Sequence, residues 1–267
     1  MSLTFLREQY SPRYAVPNSK EYLSDFRKRV PQDTFPTEKD VRYGKGPKQT
    51  LDIYTSSVYD EMTNPRQKVL LWFHGGNWQH NDKSNYHHFA KTLNDLGVTL
   101  YAVNYDLCPD VTLDEIVQQA KEAVRWSVGS LMTDLYISGH SCGAQMCAKI
   151  LDDPEFKYDV KGALLISGIY NLYPYLAFPS SYSILKLDRD MAERNSAGTI
   201  VSDAKVVVCA GELEPEAWRR CTIEYAVDNN LDYFMVPKAH HYNLNKDCLA
   251  DSNSSIIDSL IKIIYGG

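Results

Sequence analysis

Residues 135–151 read Leu-Tyr-Ile-Ser-Gly-His-Ser-Cys-Gly-Ala-Gln-Met-Cys-Ala-Lys-Ile-Leu. An apolar run of strand length ends at Gly139, and a helix-like pattern begins at Ala144. Between them, Gly139-His140-Ser141-Cys142-Gly143 sets a glycine two positions to either side of one serine. Such spacing permits a strand-to-helix turn that side chains would block, and the turn exposes the serine hydroxyl at the helix N-terminus. The pentapeptide alone is a common chance match. The flanking strand and helix make Ser141 the candidate nucleophile.

Working outward, Lys68 to Phe73 is a short apolar run of the kind found in strands buried on both faces. It leads into His74-Gly75-Gly76-Asn77-Trp78, where small residues let backbone N–H groups turn toward a reacting oxygen. The N–H groups near Gly76 and Asn77, with that of Cys142, form the candidate oxyanion hole. Asp40 to Tyr43 and Leu51 to Tyr54 read as paired strands around Gly44-Lys45-Gly46-Pro47. Further strands are expected at Val98 to Tyr105, Ala163 to Ser167, Lys205 to Ala210 and Tyr233 to Val236. Helical spacing marks Ser19 to Val30, Tyr86 to Leu96, Leu113 to Val124 and Ile256 to Ile264, with Ser252 or Asn253 as the last helix's cap. This alternation implies an α/β fold with a mostly parallel central sheet flanked by helices. The stretch from about Tyr170 to Ala204, rich in Tyr, Pro and Ser, interrupts the pattern as a lid-like insertion. Residues 1–267 are expected to form one domain.

The serine needs a base, and His240 and His241 follow the last strand, after the nucleophile in chain order. His140 belongs to the elbow, while His87 and His88 read as surface residues of a helix. The supporting acid belongs after the strand Lys205 to Ala210, where Glu212, Glu214 and Glu216 occur. Each could instead be a solvated charge at a helix start; Glu214 is preferred, with Glu212 close behind.

Composition narrows the partners. A net charge of −6 argues against a nucleic-acid surface. The chain has neither a signal-peptide core nor an apolar run long enough to span a bilayer, so no membrane association is expected. Cys142, Cys147 and Cys209 fall in apolar patterns, and no Cys-x-x-Cys pair suggests zinc. A cytoplasmic protein acting on a small molecule, without metal or cofactor, is expected; a homodimer is left open.

Together the motifs resemble the kynurenine formamidase (arylformamidase) family of α/β-hydrolases along most of the chain. Gln9-Tyr10-Ser11-Pro12 is similar to the family's N-terminal signature. His74-Gly75-Gly76-Asn77-Trp78 is similar to its His-Gly-Gly-Tyr-Trp, and Gly139–Ala144 to its Gly-His-Ser-Ala-Gly-Ala. Thr112-Leu113-Asp114 and Ser167-Gly168-Ile169-Tyr170-Asn171-Leu172 also fall where the family has similar runs. The resemblance implies a serine hydrolase with Ser141 as nucleophile, His241 as base and Glu214 as acid. It implies hydrolysis of N-formyl-L-kynurenine to L-kynurenine and formate, a step of tryptophan catabolism. Trp78 and Tyr170 are the candidate aromatic walls of the substrate site, with Tyr173 and Tyr175 as further candidates; the alternative for each is a ring that simply packs the insertion down. The chain departs from the family at Asn77, at Glu214 beside a one-residue deletion, and at His240. A carboxylesterase of small acyl or aryl esters, or a silent relative serving as a binding protein, are the rival readings. A nucleophilic Cys142 is a remote third.

Overall fold

A computed structural model describes residues 2–28, 35–58, 66–129 and 133–266. Its eight strands are β1 (Glu38–Arg42), β2 (Thr50–Tyr54), β3 (Gln67–Phe73), β4 (Thr99–Val103), β5 (Thr133–His140), β6 (Val160–Ile166), β7 (Lys205–Gly211) and β8 (Asp232–Val236). They form one sheet in the order β1-β2-β4-β3-β5-β6-β7-β8. β1, β2 and β4 pair antiparallel, and every pair from β4·β3 to β7·β8 is parallel.

The helices are α1 (Leu3–Tyr10), α2 (Pro12–Ala15), α3 (Ser19–Lys28), α4 (Ala90–Asp95), α5 (Leu113–Val128), α6 (Cys142–Leu151), α7 (Pro179–Ser183), α8 (Arg189–Asn195), α9 (Glu216–Asp228), α10 (His241–Asn243) and α11 (Ser255–Tyr265). The end expected for α3, at Val30, lies outside the described residues. Alternation along β3 explains its unbroken apolar run. Val69, Leu71 and Phe73 enter one core layer and Leu70 and Trp72 the other. α5, α6 and α9 contribute to the first layer; α4 and α11 contribute to the second.

Three local expectations are corrected. Tyr86 to Leu96 is a 3-10 helix over Lys83–Phe89 followed by α4, because Asp82 and Asn85 form a capping box that starts the turn early. His87 is buried rather than exposed, its ring hydrogen-bonded to the Tyr54 hydroxyl. α11 is capped by Ser254, whose hydroxyl accepts from Ile257 N, and not by Ser252 or Asn253, which lie too far before its first turn.

The Tyr-rich stretch after β6 folds into a 3-10 turn (Tyr173–Ala177), α7 and α8. Tyr170, Leu172, Tyr175, Phe178, Leu185 and Leu187 drop into the first core layer. Asp114 on α5 pins α8 by accepting from both Arg194 and the Asn195 amide. The N-terminal segment docks on the same side: Gln9 Oε1 accepts from Ala217 N at the start of α9, and Tyr175 donates to Tyr10 O. Among the described residues no helix is long and apolar enough to cross a membrane.

Register brings the functional segments together. Phe73 pairs with Gly139, His140 with Ile166, Ile166 with Cys209, and Gly211 with Val236. The carboxyl ends of β3, β5, β6, β7 and β8 therefore share one rim, and the five loops that leave it carry the candidate site.

Candidate active site

At the end of β5 the chain turns into α6 within one residue. Ser141 sits at φ +60° and ψ −120°, a conformation that L side chains rarely adopt. The two glycines make the turn possible. A Cβ on Gly143 would stand 2.0 Å from Phe73 O, and one on Gly139 would stand 2.5 Å from the Gly143 carbonyl carbon. The strained residue is tied to β6 by Ser141 N donating to Ile166 O at 2.9 Å. The serine is 6% exposed, so the elbow opens only narrowly to solvent.

The loop after β3 approaches the elbow. Gly76, Asn77 and Trp78 all have positive φ, at +129°, +54° and +58°. A side chain at Gly76 would meet His80 O at 2.1 Å. This run of left-handed residues turns the Trp78 N–H onto Cys142 Sγ at 3.3 Å, joining the loop to the first residue of α6. Among the described residues, the N–H groups of Gly76 and Asn77 donate to no backbone carbonyl. That of Cys142 opens a helix, where no intrahelical acceptor exists. His74 holds the base of the loop: its Nε2 lies 3.1 Å from Asn104 Oδ1, and its carbonyl accepts from Tyr105 at 2.6 Å. Burial pushes the His74 ring below the ordinary histidine range.

The loops after β7 and β8 bring Glu214 and His241 together. Glu214 Oε1 is 2.7 Å from His241 Nδ1, and Glu214 Oε2 accepts from Gly211 N at 2.8 Å. Glu214 is buried; Glu212 and Glu216 are exposed, and Glu212 instead accepts from Lys238 N. The neighbouring His240 caps α10, its Nδ1 accepting from Tyr242 N and Asn243 N. The His140 ring, adjacent to Ser141, lies 4.4 Å from the His241 ring, and Trp218 meets His241 edge-on at 4.9 Å. Burial and the neighbouring His241 hold His140 well below its ordinary value, as a neutral ring. Among the hydrogen bonds of the described residues, His241 Nδ1 is held by Glu214 and Ser167, and none joins Ser141 to His241.

Trp78 and Tyr170 do not form the open aromatic wall expected of them. Trp78 is fully buried, donating from Nε1 to Gln145 Oε1 at 3.2 Å, and Tyr175 packs edge-on against it. Tyr170 stacks on Tyr225 at 4.1 Å between centroids. Large flat rings beside α6 and α9 gain more by filling the core than by facing solvent. Tyr173 alone among the four aromatics is exposed. Cys142 is a buried thiol pushed up to about 11 by desolvation, unsuited to attack as a thiolate. Among the described residues no three His, Cys, Asp or Glu side chains are grouped to hold a metal ion.

Two contributors to the cluster carried no signal of their own: Ser167 after β6 and Trp218 on α9. Ser167 did lie at the head of the family-like run Ser167–Leu172.

An eight-stranded, mostly parallel sheet with a serine elbow at one strand end and a buried acid–histidine pair beside it defines an α/β hydrolase. The family model described as alpha/beta hydrolase fold matches residues 70–260. Kynurenine formamidase of Danio rerio is 31% identical over 84% of this chain and 81% of its own length. That of Salmo salar is 30% identical over the same shares. Among solved structures, a provisionally named thioesterase from Silicibacter sp. superposes with a TM-score of 0.79 at 26% identity, over 96% of this chain and 97% of that one. The chain belongs to the kynurenine formamidase family of α/β hydrolases.

Proposed function

We propose that this protein is a serine hydrolase cleaving N-formyl-L-kynurenine to L-kynurenine and formate, a cytoplasmic step of tryptophan catabolism, with residues 1–267 acting as one domain. The observation that carries the reading is the buried Glu214–His241 pair, 2.7 Å apart, beside the strained Ser141. With Nδ1–H given to Glu214, the Nε2 of His241 is left as a base. Ser141 attacks the formyl carbon while His241 takes its proton, and the tetrahedral oxyanion is received by the N–H groups of Gly76, Asn77 and Cys142. His241 then protonates the departing aniline nitrogen, and water, deprotonated by the same ring, releases formate from the formyl-serine. A formyl group carries only hydrogen on its carbonyl carbon, which suits a serine as enclosed as Ser141.

The test is hydrolysis of N-formylkynurenine by the purified protein and by Ser141→Ala, with a short-chain aryl ester in parallel. Formamide cleavage abolished by the substitution supports the reading. Ester cleavage alone moves the function to a small-ester hydrolase on the same machinery. No turnover of either, by a folded protein, favours a silent relative.

A further inference from the structure

The geometry assigns Ser167 as a positioning residue that clamps the acid of this site, an inference that rests on the serine-hydrolase reading above. Ser167 directly follows β6, is fully buried, and sits at φ +50° with its N–H donating to Cys209 O at 2.7 Å. Its Oγ lies 2.5 Å from Glu214 Oε1, 2.9 Å from His241 Nδ1 and 2.8 Å from Trp218 Nε1.

Donor and acceptor counting fixes the roles. The indole N–H of Trp218 can only donate, so Ser167 Oγ accepts from it. A carboxylate can only accept, so the single hydroxyl proton of Ser167 goes to Glu214 Oε1. His241 Nδ1, facing both Oε1 and Oγ, must then be the protonated nitrogen. Trp218 thereby orients the hydroxyl, the hydroxyl orients the carboxylate, and the carboxylate fixes the imidazole tautomer.

The arrangement answers a problem specific to this chain. Glutamate has one more rotatable bond than aspartate, so its carboxylate needs more restraint to stay opposite Nδ1. Here each oxygen has its own donor from the rim, Ser167 Oγ for Oε1 and Gly211 N for Oε2. Ser167 touches no reacting atom in this scheme; it acts through Glu214.

The test is the rate at which an aryl phosphonate labels Ser141, read with kcat and KM on the turned-over substrate, in a double-mutant cycle. Ser167→Gly removes the hydroxyl while tolerating the positive φ. It is expected to slow labelling and lower kcat roughly tenfold, with KM changed less than about twofold. In a Glu214→Ala background the same substitution is expected to change labelling less than about twofold, because the group it positions is gone. Equal losses in both backgrounds would overturn the clamp and leave Ser167 a packing residue. Trp218→Phe keeps the serine's backbone intact and is expected to slow labelling in the same direction; unchanged labelling there would break the chain from indole to hydroxyl. A wild type that labels at Ser141 but spares formylkynurenine defeats the proposed substrate and leaves the clamp measurable. A folded wild type that does not label defeats both.

Discussion

Glu214 Oε1 and His241 Nδ1 stand 2.7 Å apart with side chains only 0% and 6% exposed, although their loops leave different strands of the sheet. Out of water, a carboxylate this close accepts the imidazole N–H and stabilises the imidazolium as it forms. Only Glu214 of the two rival glutamates meets His241, which makes it the proposed acid. Glu214→Gln is expected to lower kcat by roughly 10²–10⁴-fold, because an amide both loses the charge and can hold the wrong tautomer. Glu212→Gln, on an exposed residue accepting only from Lys238 N, is expected to stay within about threefold of wild type. Steady-state kinetics on any substrate that is turned over compares them, and a larger loss at Glu212 would reverse the assignment.

Cys142→Ala should keep most of the activity. Its thiol is protonated near neutral pH, and its backbone N–H, the proposed oxyanion donor, survives the substitution. Losing the sulfur that meets Trp78 N costs stability, on the order of 1–2 kcal/mol. Near-total inactivation of a folded variant would point instead to the thiol as nucleophile.

Gly76→Ala is expected to cost about 10²–10³ in kcat, the loss typical of one missing oxyanion donor. Alanine strains at φ +129° and its Cβ would meet His80 O, so the loop must swing off the elbow. Catalysis within threefold of wild type would show that this loop does not receive the oxyanion.

Stability should fall as the solution is acidified below pH 6.5. His74, His87 and His140 are all held below the ordinary value of 6.5, chiefly by burial. Their folded-state values are depressed, so between those values and 6.5 the unfolded chain binds more protons than the folded one. The stability is fully present above 6.5 and is lost as pH falls through that window, at up to about 1.4 kcal/mol per pH unit for each ring. Thermal melts from pH 7.5 to 5 measure it; a flat Tm would mean these rings are protonated without penalty.

Trp78→Phe separates a core role from a substrate contact. Removing the Nε1–H leaves Gln145 Oε1 without that donor, for a loss of about 1–3 kcal/mol, while KM should hold within about twofold. A KM that rises tenfold in a variant of unchanged Tm would restore Trp78 to the substrate site.

Legibility followed the range of the forces involved. The elbow could be read because Gly139 and Gly143 answer a steric demand made within a few residues, and β3 because burial on both faces leaves an unbroken apolar run. Glu214 and Glu212 stay close on the residues alone, and only the family-like segment favours Glu214, since the contact depends on how one loop turns against another 27 residues away. Trp78 and Tyr170 were open to both readings for a related reason: an aromatic beside an elbow looks the same in sequence whether it lines a cleft or fills the core. The cap of α11 was misread by one or two residues because serines and an asparagine stand in a row there, and only the first turn's position selects among them. Ser167 heads a family-like run, but its place beside the acid is not legible there, because its three partners come from segments 47 to 74 residues distant.

The bond from Ala217 N to Gln9 Oε1 spans 208 positions. At translation speeds of about 5–20 residues per second, α1 waits roughly 10–40 s for its docking surface to be made. Contacts of such separation raise the contact order and slow folding. The amino-terminal helix therefore meets the Tyr173–Ala177 turn first, through Tyr175, and completes its packing only once the start of α9 has been made.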